Sequence, residues 1–113
     1  MRNIPIPVDT GRLTFVCVTD PRPRLVSKDT REIKTDRNGQ TVYQVGLSAA
    51  DVSGRVELVN VSVSGEPQVR VGQVVQPAGL VGFVWEQARS GQNRWGIAYR
   101  ADSITPVPVV KAA

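Results

Sequence analysis

The sequence predicts an all-β fold, a five-stranded antiparallel Greek-key barrel of the OB type. Roughly one residue in six is valine, which is enriched in strands. Ten glycines and eight prolines supply the breaks expected of turns. Apolar and polar residues alternate in short runs, and a period of two is typical of half-buried strands. Because short strands must close or pack to protect their edges, an SH3-like barrel or an immunoglobulin-like sandwich is the alternative architecture.

The first two predicted strands flank a long polar connection. Residues 13–18 alternate as a strand, and the two prolines within 20–23 end it because proline donates no ladder hydrogen bond. Asn38-Gly39 is the dipeptide best suited to the positive φ of a tight hairpin turn. We therefore expect two strands to meet there, the outgoing one over residues 41–47.

The remaining three strands follow with less regular spacing. Residues 55–64 form the third, and a change of apolar parity between Leu58 and Val59 predicts a β-bulge that bends it. Residues 69–75 suit either a short strand or an ordered crossover. Strands over 80–86 and 94–104 flank a polar loop at 88–93. The bent third strand and the long crossover favour the Greek-key arrangement.

Length and termini suggest one domain. We assign residues 1–10 to an N-terminal extension, 11–105 to the OB-like barrel and 106–113 to a flexible C-terminal tail. The N-terminus has no long apolar stretch before a cleavage site, and no run elsewhere is long enough to span a membrane. The expectation is a cytoplasmic protein with no membrane partner.

The composition removes most catalytic chemistry. The chain has no histidine and a single cysteine, so Cys/His zinc sites, Ser-His-Asp or Cys-His catalysis and an internal disulfide are excluded. Asp36 to Gly39 is better explained as a turn than as a calcium loop. Cys17 lies between two valines and is expected to be a small buried hydrophobe. We predict a protein that is not an enzyme, with no catalytic residue, metal or cofactor.

The two connections that flank the binding face of an OB barrel are basic on balance. The net charge is +4, mildly attractive to polyanions. Interspersed charges also keep ordinary surfaces soluble, and that is the alternative interpretation of each residue. In the last connection the cations are Arg89 and Arg94. In the first they are Arg22, Arg24, Lys28, Arg31, Lys34 and Arg37.

Aromatic residues cluster on the last two strands. Trp85 and Tyr43 are candidates for base stacking, the usual means of holding a single strand. Trp95 and Tyr99 share one parity and are expected at least partly in the core. Arg94 and Arg100 share the other parity with Gly96 and Ala98, whose small side chains leave a flat path beside them. The two arginines are the best candidates for phosphate contact.

Several segments resemble a known group of proteins. They are Gly79-Leu80-Val81, Trp85-Glu86, the run from Arg94 to Ile104, the run from Val61 to Pro67 and the run from Val71 to Val75. Together they resemble small OB-fold-like accessory proteins of actinobacterial plasmids, integrative conjugative elements and phages. The resemblance covers residues 40–107, and residues 20–35 lie outside it. It implies an element-borne role in replication, transfer or regulation.

The leading hypothesis is a single-stranded DNA-binding module, accessory to replication or transfer of a plasmid or mobile element. The rival is a protein-interaction or scaffold module that offers a strand edge of the same barrel to a replication or conjugation protein. A sequence-specific duplex regulator ranks last because no helix-turn-helix signal is present. A homo-oligomer, and RNA in place of DNA, stay open.

Overall fold

Nine strand segments in the described chain form one curled sheet with the shape of a half-barrel. The computed structural model describes residues 4–26, 32–89 and 91–108. Across these residues there is no α-helix, and the one helical element is a 3-10 turn over Thr10–Arg12. The prediction of an all-β fold is confirmed. The strands are β1 (Ile6–Pro7), β2 (Leu13–Cys17), β3 (Arg22–Pro23), β4 (Val42–Asp51), β5 (Val56–Ser64), β6 (Val74–Ala78), β7 (Val81–Arg89), β8 (Gln92–Ala101) and β9 (Ser103–Pro106).

The strands pair in the order β1-β7-β8-β5-β4-β2-β6-β9, and β3 adds to β4 beyond the end of β2. All pairs are antiparallel except β5 with β8, which run parallel over 61–63 and 99–101. In the chain, β6 and β7 lie between the two strands of this parallel pair. β6 and β7 follow each other in the chain but lie near opposite ends of this order, so the sheet curls over its apolar face.

Two sharp bends let β6 lead into β7 and β8 lead into β9. Gly79 adopts a φ of +64°, a left-handed conformation that favours glycine. A Cβ at this position would also overlap the side chain of Asp102. The amide of Asp102 donates to the carbonyl of Ala78 at 2.8 Å, which ties the two bends together. β6 and β7 are thus two parts of one bent strand, as are β8 and β9, and the two parts of each pair with different neighbours in the sheet.

The core lies on the concave side of β2, β4 and β5. Alternate residues of these strands point inward, as the period of two requires. Crossover and bent-strand residues complete the cluster. Its buried members are Phe15, Cys17, Val45, Leu47, Val61, Val63, Val69, Val75, Leu80, Ala101 and Ile104.

The predicted bulge in the third strand is wrong. β4 and β5 pair one-to-one from Val42 with Ser64 to Ala50 with Val56. Val59, Val61 and Val63 point inward, whereas Leu58 lies on the outer face and is 75% exposed. The shift of the apolar residues from even to odd positions therefore marks an exposed apolar patch on the outer face and not a kink in the strand.

Two other expectations changed in detail, and one alternative that the sequence left open is decided. The five predicted strands became nine segments, since β1, β3, β6 and β9 are short pieces that prolines and bends separate. Residues 69–75 are mainly crossover, and β6 begins at Val74. The polar loop at 88–93 is far shorter than predicted, because β7 reaches Arg89 and β8 restarts at Gln92.

The predicted turn at Asn38-Gly39 is confirmed, but the incoming strand is not, since the described residues between β3 and the turn form only two isolated bridges, Leu25 with Ile33 and Thr35 with Thr41. Gly39 has a φ of +78°, and its amide donates to the carbonyl of Asp36 at 3.1 Å. The Asp36 carboxylate also accepts from the amides of Asn38 and Gln40 at 2.8 and 2.9 Å. The turn therefore folds the preceding connection back toward the start of β4.

Within the described residues, no helix has the length and apolar character needed to cross a membrane.

Candidate functional site

One row of paired residues crosses the outer, convex face of the sheet. Arg22 of β3 pairs with Gln44 of β4, and Gln44 pairs with Ser62 of β5. Ser62 pairs with Arg100 of β8. Directly opposed residues point to the same side of a sheet. Arg22 and Arg100 thus lie on one face, separated by two polar, uncharged side chains.

The connection after β3 adds two cations to this face. Nη1 of Arg24 donates to Oγ of Ser62 at 3.0 Å, so its guanidinium reaches across β4. The amide of Lys34 donates to the carbonyl of Arg24 at 2.8 Å, and the amide of Val42 donates to the carbonyl of Lys34 at 2.9 Å. This ladder fixes Arg24 and Lys34 at neighbouring positions beside the start of β4.

The β7–β8 hairpin supplies the other end of the face. The Arg100 guanidinium lies 4.8 Å from the centre of the Phe83 ring, a cation–π contact. Arg94 lies six residues before Arg100 on β8 and shares its side of the strand. It is exposed, opposite Gln87. The two predicted phosphate ligands therefore share one face.

Trp85 lies on this same face, directly opposite Gly96. Its indole crosses the glycine so closely that a Cβ on Gly96 would lie 2.6 Å from Cζ2 of Trp85. The side chain remains 43% exposed. One side of the ring is therefore supported by backbone, leaving the indole partly open to solvent.

We call Arg22, Arg24, Lys34, Arg94 and Arg100, together with Phe83 and Trp85, the cationic face. Within the described part of the chain, none of its five cations forms an ion pair. The two ion pairs found there are Arg12 with Asp9 at 3.3 Å and Arg55 with Asp51 at 2.9 Å. Both lie toward the other end of β4.

A cavity of about 400 Å³ opens within the cationic face, between the first connection and β8. Arg24, Lys34 and Arg100 line it, and Asp36 is the one carboxylate among the described residues that line it. Desolvation opposes the charge of Asp36, but hydrogen bonds from the Gln40 amide, the Ser64 hydroxyl and the Asn38 amide outweigh it. They hold the pKa of Asp36 below its ordinary value. The carboxylate is thus already engaged in its turn.

The other predicted site residues are placed differently. Tyr43 is half-buried and packs against the core, on the side of β4 opposite the cationic face. Arg37 is exposed in the turn beside Gly39. The backbone of Arg89 pairs with Gln92 at the tip of the hairpin. Lys28 and Arg31 lie outside the described residues.

The expectation that Trp95 lies in the core is wrong. It is 70% exposed, and Ile97 is 42% exposed. Both point to the inner side of the sheet, and Tyr99, at the next position of β8 on that side, does pack against the core. The physical reason is that β8 pairs with β5 only over 99–101, so the outer half of the hairpin extends beyond the half-barrel. There the inward side of the strand has no core to cover it.

The sequence patterns assigned no site role to Phe83 or Ser62, and they named Arg22 only as one of the cations of the first connection. Phe83 lies two residues before Trp85, so the sequence alone indicates that the two side chains share one side of the strand. The contacts of Arg22 and Ser62 depend on which strands pair. No local pattern indicates that β5 runs parallel to β8.

Cys17 is fully buried, as predicted, and its Sγ donates to the carbonyl of Thr19 at 3.1 Å. Burial raises the pKa of the thiol, with Asp20 adding to the effect and the Thr19 hydrogen bond opposing it. The described residues contain no cluster of three Cys, Asp or Glu side chains that could hold a metal ion. Cys17 is a core residue.

Neither a protein-family model nor a curated protein sequence matches this chain. The cationic face is therefore interpreted from its own geometry.

Proposed function

We propose that the protein is a non-enzymatic module that binds single-stranded DNA along the cationic face. The observation that carries the proposal is the set of five cations on one face without ion-pair partners among the described residues. Cations without carboxylate partners attract a polyanion, and phosphate contacts dominate the affinity of nucleic-acid binders. Arg24 and Arg100 are held by a hydroxyl and by a ring, and neither of these partners carries a negative charge.

The pairing order supports a five-stranded Greek-key barrel of the OB type as the finer description of the fold. If β6–β7 and β8–β9 each count as one bent strand, then with β2, β4 and β5 there are five principal strands. OB barrels bind oligonucleotides on the face of their second and third strands, between the first and last connections. The cationic face lies on β4, β5 and β8 between those connections.

Trp85 supplies the aromatic part of this proposal. A base stacks on an exposed aromatic ring, and each such stack contributes about 1–3 kcal/mol without strong sequence preference. Gly96 supports the indole from one side, and Ala98 next along β8 adds no bulk. A strand that passes from Arg100 to Arg94 would cross Trp85 on the way.

The resemblance to accessory proteins of plasmids and mobile elements gives the proposed setting. We assign the module an accessory role in replication or transfer of such an element, acting in the cytoplasm where those strands are exposed. The sequence segments that carry the resemblance include the whole of β8 from Arg94 onward.

Fluorescence anisotropy tests the proposal with labelled oligo-dT and a duplex of the same length. We expect oligo-dT to bind and the duplex to bind more weakly, since stacking on Trp85 needs an unpaired base. An oligo-U arm separates DNA from RNA. Equal binding of duplex and single strand, or binding of neither, would contradict the proposal.

A second candidate function rests on the outer half of the hairpin. In the described chain no strand pairs with β8 on the β5 side over residues 92–98. The exposed Trp95 and Ile97 lie beside this edge, which suits strand addition by a replication or transfer protein or by a second copy of the chain. Amide hydrogen exchange of residues 93–97 with each candidate partner tests it. We expect protection, and unchanged exchange would exclude this edge.

A further inference from the structure

The cavity between Arg24, Lys34 and Arg100 differs from the rest of the cationic face because three cations line one concave space. Arg94 and Trp85 lie on an open strand surface, whereas the three cavity cations line a volume of about 400 Å³. Hydroxyl groups of Thr35, Ser62 and Ser64 complete a polar wall. Such a combination of guanidinium, ammonium and hydroxyl donors is the usual chemistry of a phosphate site.

The two guanidinium groups are positioned before any ligand arrives. Ser62 accepts from Nη1 of Arg24 at 3.0 Å, and the Phe83 ring lies under the guanidinium of Arg100. Ser62 and Arg100 are paired residues of β5 and β8, and Arg24 and Arg100 line the same cavity. Both partners are neutral, so they restrict the side chains without cancelling their charge. A preorganised pair of this kind loses less side-chain entropy on binding an oxyanion.

The formal charge of the described residues that line the cavity indicates which phosphate it fits. Among them, three cations and the carboxylate of Asp36 leave a formal charge of plus two. A phosphodiester carries one negative charge, whereas a phosphate monoester carries about 1.5 to 2 near pH 7. A monoester therefore matches this positive charge, whereas an internal phosphodiester neutralises only part of it.

We propose that this cavity binds the terminal phosphate monoester of a nucleic-acid strand, so that the protein holds strand ends. The inference rests on the proposed function, because it places one end of the bound strand at Arg24, Lys34 and Arg100. From there the strand runs along β8 past Trp85 toward Arg94. Either a 5′ or a 3′ phosphate supplies the required group.

Binding of three otherwise identical short oligo-dT strands tests the proposal: 5′-phosphorylated, 3′-phosphorylated and without terminal phosphate. We expect one phosphorylated strand to bind about tenfold more tightly, the lower end of what one hydrogen bond to a charged group contributes. Arg24→Gln and Lys34→Gln should remove this preference. Arg12→Gln makes the same change in net charge toward the other end of β4 and should preserve it.

Measuring the preference for the phosphorylated strand across a pH series separates a monoester site from a general effect of positive charge. The second ionisation of a phosphate monoester has a pKa of about 6, and the chain has no histidine to titrate in that range. Among the described residues, the charged groups lining the cavity are Arg24, Lys34, Asp36 and Arg100, with the phenol of Tyr99 beside them. The preference for the phosphorylated strand should therefore shrink between about pH 7 and pH 5.

Each outcome separates this inference from the proposed function. Equal binding of all three strands would overturn the end-binding proposal and leave single-strand binding intact. If no strand binds but a 5′-phosphorylated dinucleotide shifts the NMR signals of Ser62 and Arg100, the cavity is a monoester site and the proposed function fails. Absence of both effects would overturn both.

Discussion

The indole of Trp85 lies across Gly96 of the neighbouring strand, closely enough that a Cβ on Gly96 would meet Cζ2 of Trp85 at 2.6 Å. The two residues are directly opposed in the β7–β8 ladder. Glycine at position 96 therefore sets the orientation of the one tryptophan on the cationic face. The pair makes the stacking hypothesis testable from either side.

Gly96→Ala should weaken oligo-dT binding by displacing the indole of Trp85. The backbone at Gly96 is not left-handed, so alanine adds no backbone strain, and the overlap is relieved by movement of the partly exposed indole. If the effect acts through Trp85, the double variant Gly96→Ala/Trp85→Ala should bind no more weakly than Trp85→Ala alone. Anisotropy on the three variants measures this coupling. Fully additive losses would show that Gly96 acts without Trp85.

Trp85→Ala should weaken binding of oligo-dT by about 1–3 kcal/mol, the contribution of one base stack. The fold should survive, because the side chain is 43% exposed and lies outside the core cluster. Thermal melts run beside the binding assay check both halves. Unchanged affinity, or a large fall in melting temperature, would remove Trp85 from the binding surface.

Trp95→Ala should cost about 1 kcal/mol of folding free energy or less, since most exposed substitutions change stability little. The side chain is 70% exposed on the part of the hairpin that extends beyond the half-barrel. Urea unfolding monitored by circular dichroism measures the change. A loss of about 3–5 kcal/mol, typical of truncating a core aromatic, would place Trp95 in a packed environment instead.

The Cys17 thiol should react with a disulfide reagent only when the protein unfolds. It is fully buried and burial raises its pKa, so the thiolate is scarce in the folded state. Since the raised pKa favours the neutral form on folding, this contribution to stability is present below about pH 9, the ordinary thiol value, and declines above it. Labelling kinetics with and without denaturant test this. Rapid labelling of the native protein would contradict it.

Sequence patterns predicted the strands but not their partners. Alternation placed β2, β4, β5, β7 and β8 near their observed positions, because a period of two is a local property. The parity of β8 likewise put Arg94 and Arg100 on one side with Gly96. The contacts of Arg24 with Ser62 and of Arg100 with Phe83 depend on pairing between distant segments, which no local pattern specifies.

The two wrong expectations have a common physical cause. The bulge in β5 and the core position of Trp95 both assumed that apolar residues face a core. Leu58 and Trp95 instead lie where a strand carries apolar side chains into solvent, on the outer face and beyond the half-barrel. Parity tells which side of a strand a residue occupies. It does not tell whether another element covers that side.

The salt dependence of oligo-dT binding tests the central claim most directly. Counterion release makes log K fall with log salt by about 0.7 for each phosphate that a cation neutralises on a single strand. If Arg94 and Arg100 each meet a phosphate, Arg94→Gln/Arg100→Gln should flatten the slope by about 1.4 relative to the wild type. The control Arg12→Gln should leave it unchanged. Equal slopes for the wild type and the double variant, or a slope near zero for the wild type, would contradict a cationic face that binds nucleic acid.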